Sequence, residues 1–333
     1  MKRLFSCLWL TAAVLGLTVF CTTQFTGITR GPTYILRYAD NQPDDYPTTQ
    51  GGKYFAELVY ERTRGDVKVY VYPDEALGEE GNTIRQVQFG GIDMARVSTA
   101  QLIEHSEQFA VLTLPYLYRD TEHLWNVLDG PIGDSFLGPI GTSGLVGLSW
   151  YDAGARSFYT TKPIRTLDDL SGLTIRVQEA AYMEDMIREL GASPKALPYS
   201  MVYSNLSAGT VDGAENNWPS YVAAQHYKVA KYFLLDEHVR IPEMQIISQK
   251  TIDALPEEYV QIIQDCAKES ALYERELWQQ REAEAMQTAA ENGTVITHLS
   301  DDEKQRFQAA CQPIYQKYAK EYLYLVQRIL DTE

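Results

Sequence analysis

The sequence is poor in the patterns on which most catalytic and nucleic-acid-binding proteins depend. Lysine and arginine number 29 against 45 aspartate and glutamate, a formal charge of −16. No basic excess is left to neutralise a phosphate backbone or an anionic bilayer, and no nucleic-acid partner is expected. The five histidines (His105, His123, His226, His238, His298) are scattered, with no H-E-x-x-H and no C-x-x-C, so the usual zinc spacings are missing. Neither G-x-x-x-x-G-K-[ST] nor a strand-linked G-x-G-x-x-G occurs, and Gly138, Gly141 and Gly144 read as a helix end and loop. Gly141-Thr142-Ser143-Gly144-Leu145 fails the G-x-S-x-G elbow at its last position. Carboxylates are too plentiful for one pair to stand out as a glycosidase dyad. No metal, cofactor or catalytic residue is expected, and binding is a better reading than turnover.

The four cysteines make no disulfide scaffold in 333 residues. Cys7 and Cys21 belong to the N-terminal region; Cys266 and Cys311 read as separate buried thiols on helices, with pairing in an oxidising compartment as the alternative. Lys2 and Arg3 precede an uncharged run of 17 residues from Leu4 to Phe20, followed by Cys21-Thr22-Thr23. A basic start and an apolar run make an export signal over residues 1–21. Cys21 stands where a lipoprotein carries its lipidated cysteine, although Phe20 is bulky where a small residue is usual. The run also reaches the lower limit of a membrane span, roughly 17–25 residues. The expected location is periplasmic or on the outer face of the cytoplasmic membrane, tethered through the N-terminus. Lipid attachment at Cys21 is preferred to an uncleaved anchor.

After a linker over 22–32, strand-like and helix-like segments alternate. Strands are expected at Tyr34–Tyr38, Val67–Tyr72, Ile92–Val97, Ser157–Thr160, Leu173–Val177 and Phe233–Asp236. Helical spacing joins Phe55, Leu58, Val59 and Arg62, then Ile84 and Val87, and recurs around Leu124–Leu128, Ile132–Leu137, Met183–Leu190 and Met201–Ala208. Such alternation predicts an α/β fold with helices on both faces of its sheets, and the length suits two lobes better than one. From Thr251 to Asn292 the pattern predicts one nearly unbroken helix, with Pro256 in its first turn. Ser300-Asp301-Asp302-Glu303 has the spacing of a capping box for a last helix running to about Leu330.

One strand carries a charge that needs explaining. In Leu173-Thr174-Ile175-Arg176-Val177 the apolar residues share one face, while Thr174, Arg176 and Gln178 share the other. A buried arginine is costly unless paired, and its planar fork suits a carboxylate. On the strand alone, pairing with a structural acid such as Asp212 or Glu215 is the favoured reading. A second arginine, Arg156, leaves the turn Asp152-Ala153-Gly154-Ala155, and Asn216-Asn217 precede Trp218-Pro219 at a strand-to-helix turn. The asparagines are suited either to cap that helix or to offer amides to a polar ligand.

These motifs, in this order, resemble the DctP-like solute-binding proteins of tripartite ATP-independent periplasmic (TRAP) transporters. The likeness covers essentially the whole mature chain. It runs through Tyr72-Pro73 and Leu77-Gly78-Glu79-Glu80, Leu114-Pro115-Tyr116-Leu117, Trp150 to Arg156, Gly172 to Val177 and Asp212-Gly213-Ala214-Glu215-Asn216. The resemblance implies a two-lobed periplasmic-binding-protein fold with crossing strands and a long connecting helix. Lobe I would comprise 33–153 and 242–281, and lobe II 154–241 and 282–333. It assigns the ligand carboxylate to Arg176, a supporting contact to Arg156 and a hydrogen bond to Asn216. Asn41, Glu80 and Ser98 would line the pocket from the other lobe and read the distal end of the ligand. The pairing reading of Arg176 recedes accordingly.

Asn41-Gln42-Pro43, Asp44-Asp45-Tyr46-Pro47-Thr48 and the doubled Asn216-Asn217 look like the subgroup associated with sugar acids. The expected partner is a carboxylated small molecule such as a hexuronate, with Tyr46, Tyr151 or Trp218 covering its ring and Asn217 beside it. A membrane permease would receive it. A four-carbon dicarboxylate would need a second cation, from Arg96 or Arg240, which Glu80 would oppose. An exported enzyme acting on acidic sugars is the alternative from another class.

Overall fold

The structure is a computed structural model that describes residues 31–333; the expected export signal and Cys21 lie outside the described residues. Two six-stranded mixed sheets organise the chain. The first is built from β1 (Tyr34–Ala39), β2 (Val67–Tyr72), β3 (Met94–Ser98), β4 (Gly138–Pro139), β5 (Leu145–Tyr151) and β11 (Glu243–Ser248), in the order β2-β1-β3-β11-β5-β4. The second contains β6 (Ala155–Thr160), β7 (Thr174–Val177), β8 (Ser193–Ala196), β9 (Gly213–Asn216), β10 (Tyr232–Arg240) and β12 (Val295–His298), in the order β12-β10-β6-β9-β7-β8. In β1 the residues alternate, with Leu36 and Tyr38 buried and Ile35 and Arg37 outward. The central strands β5, β6 and β11 are buried along their whole length.

The chain crosses between the sheets through Asp152-Ala153-Gly154, between β5 and β6, and through Ile241-Pro242, between β10 and β11. Gly154 has φ +58°, and a Cβ there would lie 3.0 Å from Trp278 Nε1. A side chain would therefore meet both backbone strain and a steric clash. Asp152 ties the first crossing to a long helix, its N–H donating to Glu274 Oε2 at 2.8 Å.

That helix, α5 (Glu257–Glu291), would span about 52 Å at 1.5 Å per residue. It buries Ile263, Cys266, Ala267, Ser270, Ala271, Glu274, Trp278, Ala285 and Ala289 along one stripe. Its N-terminal half packs on α1 (Pro47–Arg62) and the first sheet, while Ala285 and Ala289 join Tyr159, Trp218 and Phe233 of the second. The expected helix from Thr251 does not start there: Gln249–Ala254 ends first and Leu255 is extended (ψ 148°), as a residue before proline prefers. The expected last helix is three, α6 (Asp301–Ala310), α7 (Gln312–Tyr318) and α8 (Leu323–Leu330). Ser300 does cap α6, accepting from Glu303 N at 3.3 Å, but Glu303 turns to accept from Leu167 N at 2.8 Å instead of closing the box. Cys266 and Cys311 are both buried free thiols. No helix among the described residues is long and apolar enough to cross a membrane.

Candidate ligand-binding site

A cleft of about 590 Å³, counting its solvent-open mouth, lies where the two sheets face each other. Its walls come from the carboxyl ends of parallel strands, where open α/β sheets place their ligands. Asn41 and Gln42 follow β1, Gln178 and Glu179 follow β7, and Leu197-Pro198-Tyr199 follow β8. Asn216 ends β9, and Glu243 enters from the start of antiparallel β11.

The second sheet supplies two buried arginines in different states. Arg156 grips Glu215 with its fork, Nε to Oε2 at 2.5 Å and Nη2 to Oε1 at 2.9 Å, and Nη1 donates to Asn216 Oδ1 at 2.9 Å. Behind Glu215 stands His238, stacked on Phe158, with Nε2 3.6 Å from Glu215 and Nδ1 2.9 Å from Asp236. Burial alone would raise the Glu215 carboxyl, but Arg156 and His238 outweigh it and hold it at about 2. Burial likewise opposes a charged His238, yet Asp236 and Glu215 lift it to about 9. Two cations and two carboxylates thus balance.

Arg176 lies outside that balance. It is 2% exposed, and its hydrogen bonds run to one acceptor, the Leu197 carbonyl, from Nε at 2.9 Å and Nη2 at 2.6 Å. No carboxylate pairs with it among the described residues. Asp212 instead accepts from Thr174 N at 2.9 Å, and Glu215 belongs to Arg156. Burial pushes the guanidinium below its ordinary value, the signature of a desolvated cation without a counter-ion. The pairing with Asp212 or Glu215 that the strand alone favoured does not occur.

The first sheet makes the opposite wall. Arg96 donates from Nε to Asp40 Oδ2 at 3.3 Å, from Nη2 to Asp40 Oδ1 and Asn41 Oδ1, and from Nη1 to Glu243 Oε2 at 2.9 Å. Glu80, at the start of α2 (Glu80–Phe89), accepts from Ser98 N and from Asn41 Nδ2 at 3.2 Å. Tyr46 reaches across, its hydroxyl 2.8 Å from Ser220 Oγ and 3.4 Å from Asn217 Oδ1, its ring edge-on to Trp278. Ser98 also bridges the walls, donating from Oγ to Gln178 Oε1 at 3.3 Å.

Of the nine residues singled out in the sequence, Arg176, Arg156, Asn216, Asn41, Glu80 and Asn217 line the cleft. Ser98 sits behind Glu80 and Gln178 without lining it. Tyr151 and Trp218 are elsewhere. The Tyr151 hydroxyl is held by Gln245 and by Ser270 of the long helix, and the Trp218 ring stacks on Phe233 at 3.6 Å in the second core. Neither covers the cleft, whereas Tyr46 does. Arg240 is also outside it, bonded to Thr121 and Glu237. Missed in the sequence were Tyr199, Ser220, Glu243 and Trp278; Gln178 was legible, because it shares the polar face of Arg176.

A two-lobed α/β chain with a polar interlobe cleft is the architecture of an extracellular solute-binding protein. The chain belongs to the bacterial extracellular solute-binding protein family 7 (DctP), whose profile matches residues 38–321. A TRAP periplasmic solute-binding protein from a Bradyrhizobium species, crystallised with galacturonate, is 41% identical over 89% of this chain and 99% of its own, at a TM-score of 0.87. Another from Roseobacter denitrificans, with β-D-glucuronate bound, is 36% identical over 90% and 100%, at 0.86. A solute-binding protein of Chromohalobacter salexigens is 34% identical over 87% of this chain and 86% of its own. The chain is therefore a TRAP-type solute-binding protein.

Proposed function

We propose that this protein captures a hexuronate outside the cytoplasm and delivers it to a TRAP-type permease, without turning it over. The observation that carries the reading is Arg176, a buried guanidinium with no carboxylate partner at the wall of a cleft. Its free N–H groups, on Nη1 and the second of Nη2, would take the ligand carboxylate, and the Asn216 amide, whose Oδ1 is occupied by Arg156, would donate from Nδ2. Arg156 would act by fixing Asn216. The hydroxylated end would then meet Asn41, Glu80 and Gln178, which offer the mixed donors and acceptors that a sugar needs. Arg96 is already ion-paired with both Asp40 and Glu243, which argues against a dicarboxylate. Both solved relatives described above hold hexuronates, which supports the same class.

In this reading lobe I comprises 33–153 and 242–281 and lobe II 154–241 and 282–333, closing about the two crossings and the long helix. The chain would be held at the outer face of the cytoplasmic membrane by a lipid on Cys21. The test is calorimetry and thermal shift with galacturonate, glucuronate, succinate and sialic acid. A ligand at 100 times its dissociation constant stabilises the fold by about 2.7 kcal/mol. A shift with succinate and none with either uronate sinks the assignment; reducing-sugar release from uronides would sink the absence of turnover.

A further inference from the structure

This inference rests on the sugar-acid reading and concerns the wall opposite Arg176. Three carboxyl groups, Asp40, Glu80 and Glu243, surround one cation, Arg96. Asp40 and Glu243 occupy its fork. Glu80 receives only neutral donors, the Ser98 N–H and Asn41 Nδ2. The charged groups around it are Arg96 from β3, Asp40 from the end of β1 and Glu243 from β11. Glu79 precedes it as the N-cap of the same helix, and Glu75, Glu79, Glu179, Arg156 and Arg176 line the same cleft. Arg156 is neutralised by Glu215, and Arg176 lies on the other wall. Glu80 is 8% exposed, so it is a third carboxyl in a nearly dry wall, with no cation of its own. Burial and the like charge of Glu243 both favour its neutral form over the opposition of Arg96 and the Ser98 N–H. Its carboxyl accordingly sits at about 7 in place of the ordinary 4.5.

We propose that capture of the singly charged acid takes up one proton from solvent, that this proton resides on Glu80, and that the resulting carboxyl donates a hydrogen bond to a ligand oxygen remote from the ligand carboxylate. A sugar acid has hydroxyl and ring oxygens at that end, all of which accept. Bound anion and excluded water both make ionised Glu80 less favourable, so the complex holds more protons than the free protein. By linkage the affinity rises as pH falls, between the Glu80 values of the complex and of the free protein. Glu80 is thus a specificity-determining residue. In its protonated form it suits a neutral distal end, and in its ionised form it repels a second carboxylate.

The experiment is isothermal titration of D-galacturonate and D-glucuronate into the wild-type protein from about pH 5.5 to 8.5, in phosphate and in Tris. The expected result is a binding heat that differs between buffers by the uptake of up to one proton, with affinity falling by as much as about tenfold per pH unit within the titration window. Glu80→Gln, which keeps an N–H donor, removes both the proton uptake and the pH slope; Glu80→Ala binds more weakly than Glu80→Gln. Equal heats in both buffers with a flat affinity overturn this inference and leave the sugar-acid reading standing. Proton uptake that persists in Glu80→Gln overturns it too, by placing the proton elsewhere. No heat with either uronate at any pH overturns the sugar-acid reading and this inference with it. The wild-type buffer comparison decides even if a variant fails to fold.

Discussion

Arg96 and Arg176 leave short strands of different sheets, line the same cleft and are 3% and 2% exposed. One holds Asp40 and Glu243; the other holds a single carbonyl oxygen. A protein stabilised only for itself would pair both, since an unpaired buried charge is among the most costly groups in a fold. On the proposed function, the difference separates a residue that completes the fold from one left for a ligand to complete. Arg156 sharpens the contrast. It lies on the same sheet as Arg176, yet Glu215 balances it, and His238 and Asp236 extend the balance inward.

The largest effect expected from breaking this comparison is on stability. Glu215→Ala strands Arg156 and His238 in a dry interior, and should lower unfolding free energy by about 3–5 kcal/mol, as for a buried pair that loses one member. Denaturant titration is the check, and a loss under about 1 kcal/mol would mean that the network behaves as a solvated surface pair. Arg176→Ala should do the reverse. Affinity for a hexuronate falls by about 2–5 kcal/mol, while the stability of the free protein holds or rises, because an uncompensated charge has gone. Arg176→Lys keeps the charge but not the fork, and should also bind more weakly. If Arg176→Ala unfolds the protein as readily as Glu215→Ala, the distinction between the two arginines collapses.

The same contrast sets the pH response of the free protein. The Glu215 carboxyl, held at about 2, contributes stability that is present above its ordinary value of 4.5 and disappears as pH falls through 2. His238, lifted to about 9, contributes stability that is complete below 6.5 and disappears as pH rises through 9. Glu80 acts in the other sense to Glu215, since a carboxyl raised to about 7 loses stability as pH climbs from 4.5 to 7. Glu80→Gln should therefore raise the melting temperature more at pH 8 than at pH 5. The opposite ordering would show Glu80 to be an ordinary ionised carboxylate.

How far the sequence foretold this contrast depended on whether the deciding residues are close in the chain. Arg176 stood out because strand alternation put it with Gln178 on a polar face, and the neighbouring motifs gave it a role. That it lacks a partner was not readable, because Glu215 chooses Arg156 through the pairing of β6 with β9. The first wall was harder still. Arg96, Asp40 and Glu243 meet only because β1, β3 and β11 are neighbours, and β11 drew no notice in the sequence because Glu243 and Gln245 interrupt its apolar run. Trp218 and Tyr151 misled by proximity. Trp218 adjoins two cleft asparagines, yet the first turn of α4 (Trp218–Ala223) carries its ring back onto Phe233. Tyr151 ends a strand that faces the long helix.

The smallest expected effect tests whether the two walls act together. Tyr46 belongs to the first wall, as the residue before α1, but its hydroxyl bonds Ser220 on α4 of the second. Its ring is wedged against Trp278 of the helix that serves both sheets. Tyr46→Phe keeps the ring and removes the neutral hydrogen bond to Ser220 together with the longer one to Asn217, a change of about 0.5–1.5 kcal/mol for the shorter bond. If these bonds form only when the walls come together on a ligand, their loss should fall on the complex. Affinity then drops up to about tenfold through faster release, with the association rate and the melting temperature of the free protein unchanged. Stopped-flow release and ligand-free thermal unfolding separate the cases. A lower melting temperature with an unchanged release rate would make Tyr46 part of the resting fold, and the contrast between the walls would then be one of charge alone.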